Sequence, residues 1–389
     1  MTISMSAPDI TDSEIQAVLE VLRTPRLSLG PRQEAFEAAV AGRVGARHAV
    51  AVSSGTAGLH LAVRAAGIGD GDLVVTTPFS FVASANVMLY ERAVPIFVDV
   101  DPVTGNIDPS LVEEAIHDLL KGGERAARRQ PRRGAGAGRL KAVLPVDAFG
   151  QPAAYEVLVP EARKHELTVI EDSCESFGAL RHGRPAGMFG DIGVFAFYPN
   201  KQITTGEGGV VVTDRDDWAD TLRSLRNQGR APGDTWLQHA RLGYNYRMDE
   251  LSAALGEAQM QRFDELLDRR QRVADWYGER LSEQTGVQPL TIDPATTRVS
   301  WFVYVVRFEA GLDRDAIAGR LERSGIPSRP YFTPIHLQPY FVERFGYRAG
   351  DFPVAEDLGR RSLALPFSSV MTEGEVDEVC RALREAMAG

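Results

Sequence analysis

Two cysteines in 389 residues, Cys174 and Cys380, leave no material for a disulfide framework or a cysteine-rich metal site. No apolar run approaches the ~18 residues of a membrane span. The opening, MTISMSAPDITDSEIQ, lacks the basic-then-apolar pattern of a leader peptide. Positive charge is short as well. Lys and Arg number 43 against 53 Asp and Glu, a formal net charge of −10, which disfavours nucleic acid as the main partner. No GxGxxG or GxxxxGK[ST] fingerprint stands at the SSGTAG turn, so dinucleotide and P-loop readings lack their signature there. The expectation is a cytoplasmic protein with no membrane, nucleic-acid or metal dependence.

What is present reads first as rhythm. APDITDSEIQAVLEVLR has an N-cap candidate at Thr11, Glu14 three residues later, and an apolar stripe of Ile15, Val18, Leu19 and Leu22. A second helix follows in GPRQEAFEAAVAGRVG. From HAVAVSS onward, strands alternate with helices: LVVTTP, VPIFVDVD, LKAVLPVD, LTVIEDSC, DIGVFAFYP and GGVVVTD supply the strands. Such alternation predicts an α/β fold with a mostly parallel sheet covered by helices on both faces, its ligand at the C-terminal strand ends. Residues from about Asp216 to Arg280 read as mainly helical, with one long helix or a broken pair in MDELSAALGEAQMQRFDELLDRRQRVADWYGERL. A smaller α/β unit starts near Val299. The expected division is a large domain over 1–280 and a small C-terminal domain over 281–389.

One stretch departs from this. KGGERAARRQPRRGAGAGRL, Lys121 to Leu140, holds seven basic residues against one acidic and shows no periodicity. It reads as a solvated flexible loop, or alternatively as a basic lip for an anionic ligand.

Three motifs carry chemistry. In SSGTAGLHLA a strand ends and a helix begins at about Thr56. Backbone N–H groups at such a start, approachable because Gly55 has no side chain, suit an anion; ordinary N-capping explains the same residues. In VIEDSCESFGA, Glu171 and Asp172 close an apolar strand, as ligand contacts or as turn residues. In FAFYPNKQITTGEGG, Lys201 follows the next strand, with Thr204, Thr205 and Glu207 behind it. It can form a Schiff base with a carbonyl or lie on the surface. Taken together and in this order, an anion cup, a strand-end acid and a lysine match pyridoxal 5′-phosphate (PLP). That cofactor needs a phosphate anchor, a carboxylate to keep its pyridine nitrogen protonated, and an amine for its aldehyde.

At these residues the chain resembles the DegT/DnrJ/StrS family of PLP-dependent nucleotide-sugar aminotransferases, within the fold-type I aminotransferases. The resemblance runs through SSGTAGLHLA, PFSFVASANVMLYERAVPIFVDVD, EDSCESFGA, FYPNKQITTGEGG, LGYNYRMDELSAALGEAQ, PIHLQPYF and FPVAEDLGRRSLALPF. It implies a fold-type I architecture and Lys201 as the Schiff-base lysine and proton carrier. It implies Asp172 as the partner of the pyridine nitrogen, Gly55 and Thr56 as phosphate donors, and Phe81 as the ring stacked on the cofactor. Glu175 falls near the cofactor's ring hydroxyl, where a glutamate is similar to perosamine synthases. Asn245 is implied to cross a homodimer interface to the partner's phosphate. Arg247 and His336 are implied on the substrate side. One position departs: many relatives carry a serine five residues before the lysine, and here Ala196 stands there.

The implied reaction moves an amino group from an amino acid, L-glutamate by expectation, to a nucleotide-linked 4-keto-6-deoxyhexose in amino-sugar, polysaccharide or antibiotic biosynthesis. The alternatives are a 3-keto sugar or aminocyclitol ketone as acceptor, and, in another class, a non-catalytic PLP-binding regulatory protein.

Overall fold

The computed structural model describes residues 3–135, 138–230 and 238–389. The strands in chain order are β1 (His48–Val52), β2 (Leu73–Thr76), β3 (Val94–Phe97), β4 (Leu140–Leu144), β5 (Thr168–Asp172), β6 (Leu180–Arg181), β7 (Arg184–Pro185), β8 (Ile192–Ala196), β9 (Gly209–Thr213), β10 (Val287–Pro289), β11 (Thr296–Arg298), β12 (Tyr304–Phe308) and β13 (Ser362–Leu365). Seven of them form the central sheet in the order β1-β9-β8-β5-β4-β2-β3. Neighbours from β8 to β3 are parallel, and β9 runs antiparallel to both β1 and β8. Strands such as VPIF and GVVVT are buried throughout, so they read as continuous apolar runs rather than as alternation.

Helices cover both faces. They are α1 (Asp12–Leu22), α2 (Pro31–Val44), α3 (Gly55–Ala65), α4 (Ala83–Tyr90), α5 (Pro109–Lys121), α6 (Gly123–Arg129), α7 (Tyr155–Lys164), α8 (Asp216–Arg226), α9 (Glu250–Gln261), α10 (Phe263–Leu281), α11 (Arg314–Arg323), α12 (Pro339–Phe345), α13 (Pro353–Arg361) and α14 (Glu373–Ala388). On one face Val50, Val52, Ile170 and Val194 pack with Leu59 of α3 and Leu222 of α8. On the opposite face Val75, Ile96, Val143 and Val169 pack with Ile116 of α5 and Leu158 of α7. The long helical run breaks at Arg262, between α9 and α10. A second sheet, β10-β12-β13, packs with α11, α14 and the C-terminal half of α10. Ile3 belongs to that same apolar cluster, and Phe367 N–H donates to Met5 O at 3.0 Å.

One expectation is corrected here. The first part of the stretch from Lys121 is not an irregular loop: Gly123–Arg129 form α6, and Arg129 pairs with Asp118 of α5 at 2.8 Å. Farther on, Arg132 grips Asp351 and Arg133 N–H donates to Phe345 O at 3.0 Å. Composition counts charges but not the carboxylates waiting for them. The stretch also leads into the N-terminal end of β4, the end opposite the one that bears the cleft, so it forms no lip to it; residues 136–137 lie outside the described residues.

The helix read at the start of the chain is α1. Its cap forms as expected, with Thr11 N–H donating to Glu14 Oε2 at 2.8 Å. Its apolar stripe does not turn inward. Ile15, Leu19 and Leu22 are exposed, while the buried positions are Val21 and Glu14, the latter bonded to Gln259 and Arg262. Leu27 and Leu29, just beyond α1, are exposed too. Between them Ser28 forms a β-bridge with Asp249, and Glu250 N–H donates to Leu27 O at 3.0 Å. The uncovered apolar residues therefore adjoin the segment that holds Asn245.

Candidate active site

The turn after each of β1, β2, β4, β5 and β8 meets the others along one edge of the sheet and encloses a cavity of about 670 Å³. Segments from the second sheet's side, Phe302 and Pro330–Thr333, close it from above.

At the end of β1, Ser54 caps α3, its hydroxyl accepting from Ala57 N–H at 3.1 Å. The N–H groups of Gly55 and Thr56 open the helix and have no intrahelical acceptor, so they face the cavity as anion donors. A Cβ on Gly55 would stand 2.6 Å from Ala196 Cβ and 3.0 Å from Cys174 Sγ, so only glycine lets α3 start this close to β8. Ala196 lines the cavity where a serine would have added a hydroxyl. Ser54 stands beside it and still has its own O–H to give.

Asp172 ends β5 and is buried at the cavity wall. Ser84 of α4 donates its hydroxyl to Asp172 Oδ2 at 2.6 Å, and Cys174 N–H donates to Oδ1 at 3.2 Å. Both bonds fix the orientation of the side chain. Glu171, the neighbouring acid, points the other way and accepts from the N–H groups of Gly187, at 2.9 Å, and Gly190. It is a fold residue, not a cavity one.

Lys201 sits on a turn closed by its own N–H to Tyr198 O at 2.9 Å. Its Nζ lies 3.8 Å from Glu175 Oε1 and 4.0 Å from the centre of the Phe302 ring. Burial pushes the Glu175 carboxyl up to about 7, against the pull of Lys201 and of the Phe149 N–H, which donates to it at 2.9 Å. The glycine-rich stretch behind the lysine is held by the threonines. Thr204 donates to Phe197 O at 3.1 Å, and Thr205 to Glu207 O at 2.8 Å. Arg270 of α10 reaches in from below. It donates to the carbonyls of Lys201, Asn200, Trp301 and Phe302, and its burial without a carboxylate partner pulls its guanidinium down to about 10. Gln202 Nε2 ties Glu175 O at 2.7 Å to Ser300 O at 2.8 Å. The lysine's backbone is thereby fixed while its amine stays in the cavity.

Phe81 also lines the cavity, and 62% of its surface is open. A bare phenyl face between Asp172, Lys201 and an anion-binding helix start fits a planar, phosphorylated heteroaromatic ring. The residues present therefore fit PLP.

The structure thus brings together Gly55, Thr56, Phe81, Asp172, Glu175 and Lys201. It does not bring three other expected residues to the same cavity. Asn245 is exposed on a segment bridged to Asn227, beside β1. Arg247 bridges Val52 and donates to Asn227 Oδ1 at 3.0 Å. His336, expected on the substrate side, is fully buried and bonded to Glu356 Oε1 at 3.0 Å, with Phe352 packed edge-on against its ring. It braces the turn before α12; Thr333 and Gln338, on either side of it, line the cavity instead. Sequence reasoning missed Ser84 and Arg270. An SxN within an apolar helix and one arginine among many give no sign of what they will face.

Among known proteins, the model of the DegT/DnrJ/EryC1/StrS aminotransferase family matches residues 8–384. The GDP-perosamine synthase of Caulobacter vibrioides is 37% identical over 99% of this chain and 98% of its own length. The spore coat polysaccharide biosynthesis protein SpsC of Bacillus subtilis is 35% identical over 99% and 97%. A solved DegT DnrJ EryC1 StrS aminotransferase from Brucella abortus superposes with a TM-score of 0.86, at 31% identity over 97% of this chain and 96% of that one.

Proposed function

Because the chain belongs to the DegT/DnrJ/EryC1/StrS aminotransferase family, and is thus a PLP-dependent aminotransferase, we propose that it aminates a nucleotide-linked keto-sugar. The acceptor is a 4-keto-6-deoxyhexose and the donor L-glutamate. The observation that carries this reading is the meeting of Lys201, Asp172, Phe81 and the start of α3 in one cavity. The acceptor class is supported by the 37% identity to a GDP-perosamine synthase along nearly the whole chain and by a glutamate at position 175.

Bound PLP would supply the electron sink that stabilises negative charge at the donor's α-carbon. The chain's residues do the rest. Gly55 and Thr56 N–H groups, with the Ser54 and Thr56 hydroxyls, hold the phosphate. Phe81 would cover one ring face. Asp172, oriented by Ser84 and Cys174 N–H, would pair with the pyridine nitrogen. Lys201 Nζ would hold the aldehyde end and serve as the base that carries the proton of the donor's α-carbon. Glu175, beside that amine, orients it.

The assembly is a homodimer in the cytoplasm. Supporting this, Ile15, Leu19, Leu22, Leu27 and Leu29 leave an apolar surface uncovered beside the Asn245 segment, as interfaces do. Asn245 then serves the partner subunit's phosphate site, and Arg247 the diphosphate of the sugar nucleotide. Among the described residues, no helix is long and apolar enough to cross a membrane.

The test is a half-reaction. The visible absorption of the holoenzyme should bleach with L-glutamate and return with a nucleotide 4-keto-6-deoxyhexose. Return with a 3-keto sugar or an aminocyclitol ketone alone would move the acceptor to that class. No bleaching with any amino acid would refute the reading.

A further inference from the structure

The helices α5 and α7 run back from the cleft edge and end together at the opposite edge of the sheet. There His117, near the end of α5, faces Glu161 and His165 of α7. Glu161 Oε1 lies 3.1 Å from His117 Nε2 and 3.2 Å from His165 Nε2. The three ligand atoms all fall within 4.8 Å of one another, and the imidazoles stand at 84° with centres 5.6 Å apart.

These spacings are informative. Ligands about 2.0–2.2 Å from a zinc ion at tetrahedral angles lie roughly 3.3–3.5 Å apart. The two distances from Glu161 Oε1 are close to that edge length, and rotation of the two rings can set the third. Glu161 is buried, and Lys164 occupies only its other oxygen, Oε2, at 2.6 Å. Its Oε1 is the oxygen that both imidazoles face. The backbone adds to this. His165 is the C-cap of α7, so the negative end of that helix lies beside the group.

We infer that His117, Glu161 and His165 form a surface site for a borderline divalent transition-metal ion of the zinc or nickel type, with water completing the shell. Two imidazoles and one carboxylate select against magnesium and calcium, which take oxygen sets. The ion would pin the end of α5 to the end of α7. It would act on stability and not on transamination, because the cleft is at the other ends of the strands.

The experiment uses untagged holoenzyme dialysed against Zn²⁺, with the bound metal measured per chain. One zinc per chain is expected, with a higher Tm and no response to Mg²⁺. His117 is more than half exposed, so His117→Ala keeps the fold. It and His165→Ala should each weaken zinc binding at least ~10-fold and cancel the Tm rise, with turnover unchanged. No zinc uptake would overturn the site, as would uptake equal to wild type in both variants.

Discussion

The surroundings of Lys201 and those of Asn245 are built on opposite terms. Around Lys201 the positioning bonds lie within the same chain: Arg270 and Gln202 hold the backbone, Ser84 holds Asp172, and Phe149 N–H holds Glu175. Around Asn245 the chain leaves its surface open, with Asn245 exposed and Leu27, Leu29 and Leu22 uncovered. A region finished by one chain positions reacting groups. A region left open can take a second chain, as the proposed dimer requires. The first can be tested by deleting single groups, the second by separating or mixing chains.

The largest effect belongs to the closed region. Lys201→Ala should lower turnover by more than ~10⁴-fold, since it removes both the anchor and the proton carrier. Circular dichroism and gel filtration should show an unchanged fold and assembly. Turnover near wild type would break the assignment. Next is Asp172→Asn, which keeps the Ser84 contact but removes the charge facing the pyridine nitrogen. A loss on the order of 10²-fold or more is expected in turnover, and an unchanged rate would mean that another group holds that proton.

The open region should respond differently. Leu22→Glu changes an exposed side chain, so each chain should fold normally. The dimer should dissociate at least ~10-fold more readily by analytical ultracentrifugation, with activity falling in step with dimer content. A monomer of full activity would remove the need for a second chain.

The smallest effect is a slope. Burial raises Glu175 to about 7 in the folded protein, while an unfolded chain releases that proton near 4.5. Between those values the folded state holds more protons, so this group makes stability fall as pH rises and levels off above about 7. The contribution is at most ~1.4 kcal/mol per pH unit. Thermal unfolding of the cofactor-free protein from pH 5 to 8 should flatten in Glu175→Gln. An identical slope in both proteins would contradict the burial argument.

How far the sequence is legible follows the same divide. The central strands and α3 are readable because burial on both faces writes itself as apolar runs, and because strand ends place Gly55, Asp172 and Lys201 in register with one another. Phe81 and Glu175 needed the family resemblance. What escaped depends on partners distant in sequence. The stripe of α1 has a helical period, yet period alone does not tell an inward face from an uncovered one. His336 reads as a polar residue in a turn, and only Glu356 and Phe352 packed against it show it to be a brace. Arg270 is one of several arginines in α10, and nothing in its neighbours announces four backbone carbonyls.

The shared site is the claim on which both regions bear, and mixing inactive variants tests it most directly. Lys201→Ala lacks the anchor, and Asn245→Asp sets a negative charge beside the phosphate. Each homodimer should be weak or dead. In a mixed dimer, one site would inherit both defects and the other would combine an intact lysine with the partner subunit's intact Asn245. Subunit exchange, with heterodimer formation verified by native mass spectrometry, should therefore restore activity to about half the wild-type value per heterodimer, since one site in two is whole. A verified heterodimer with no recovered activity would contradict the account.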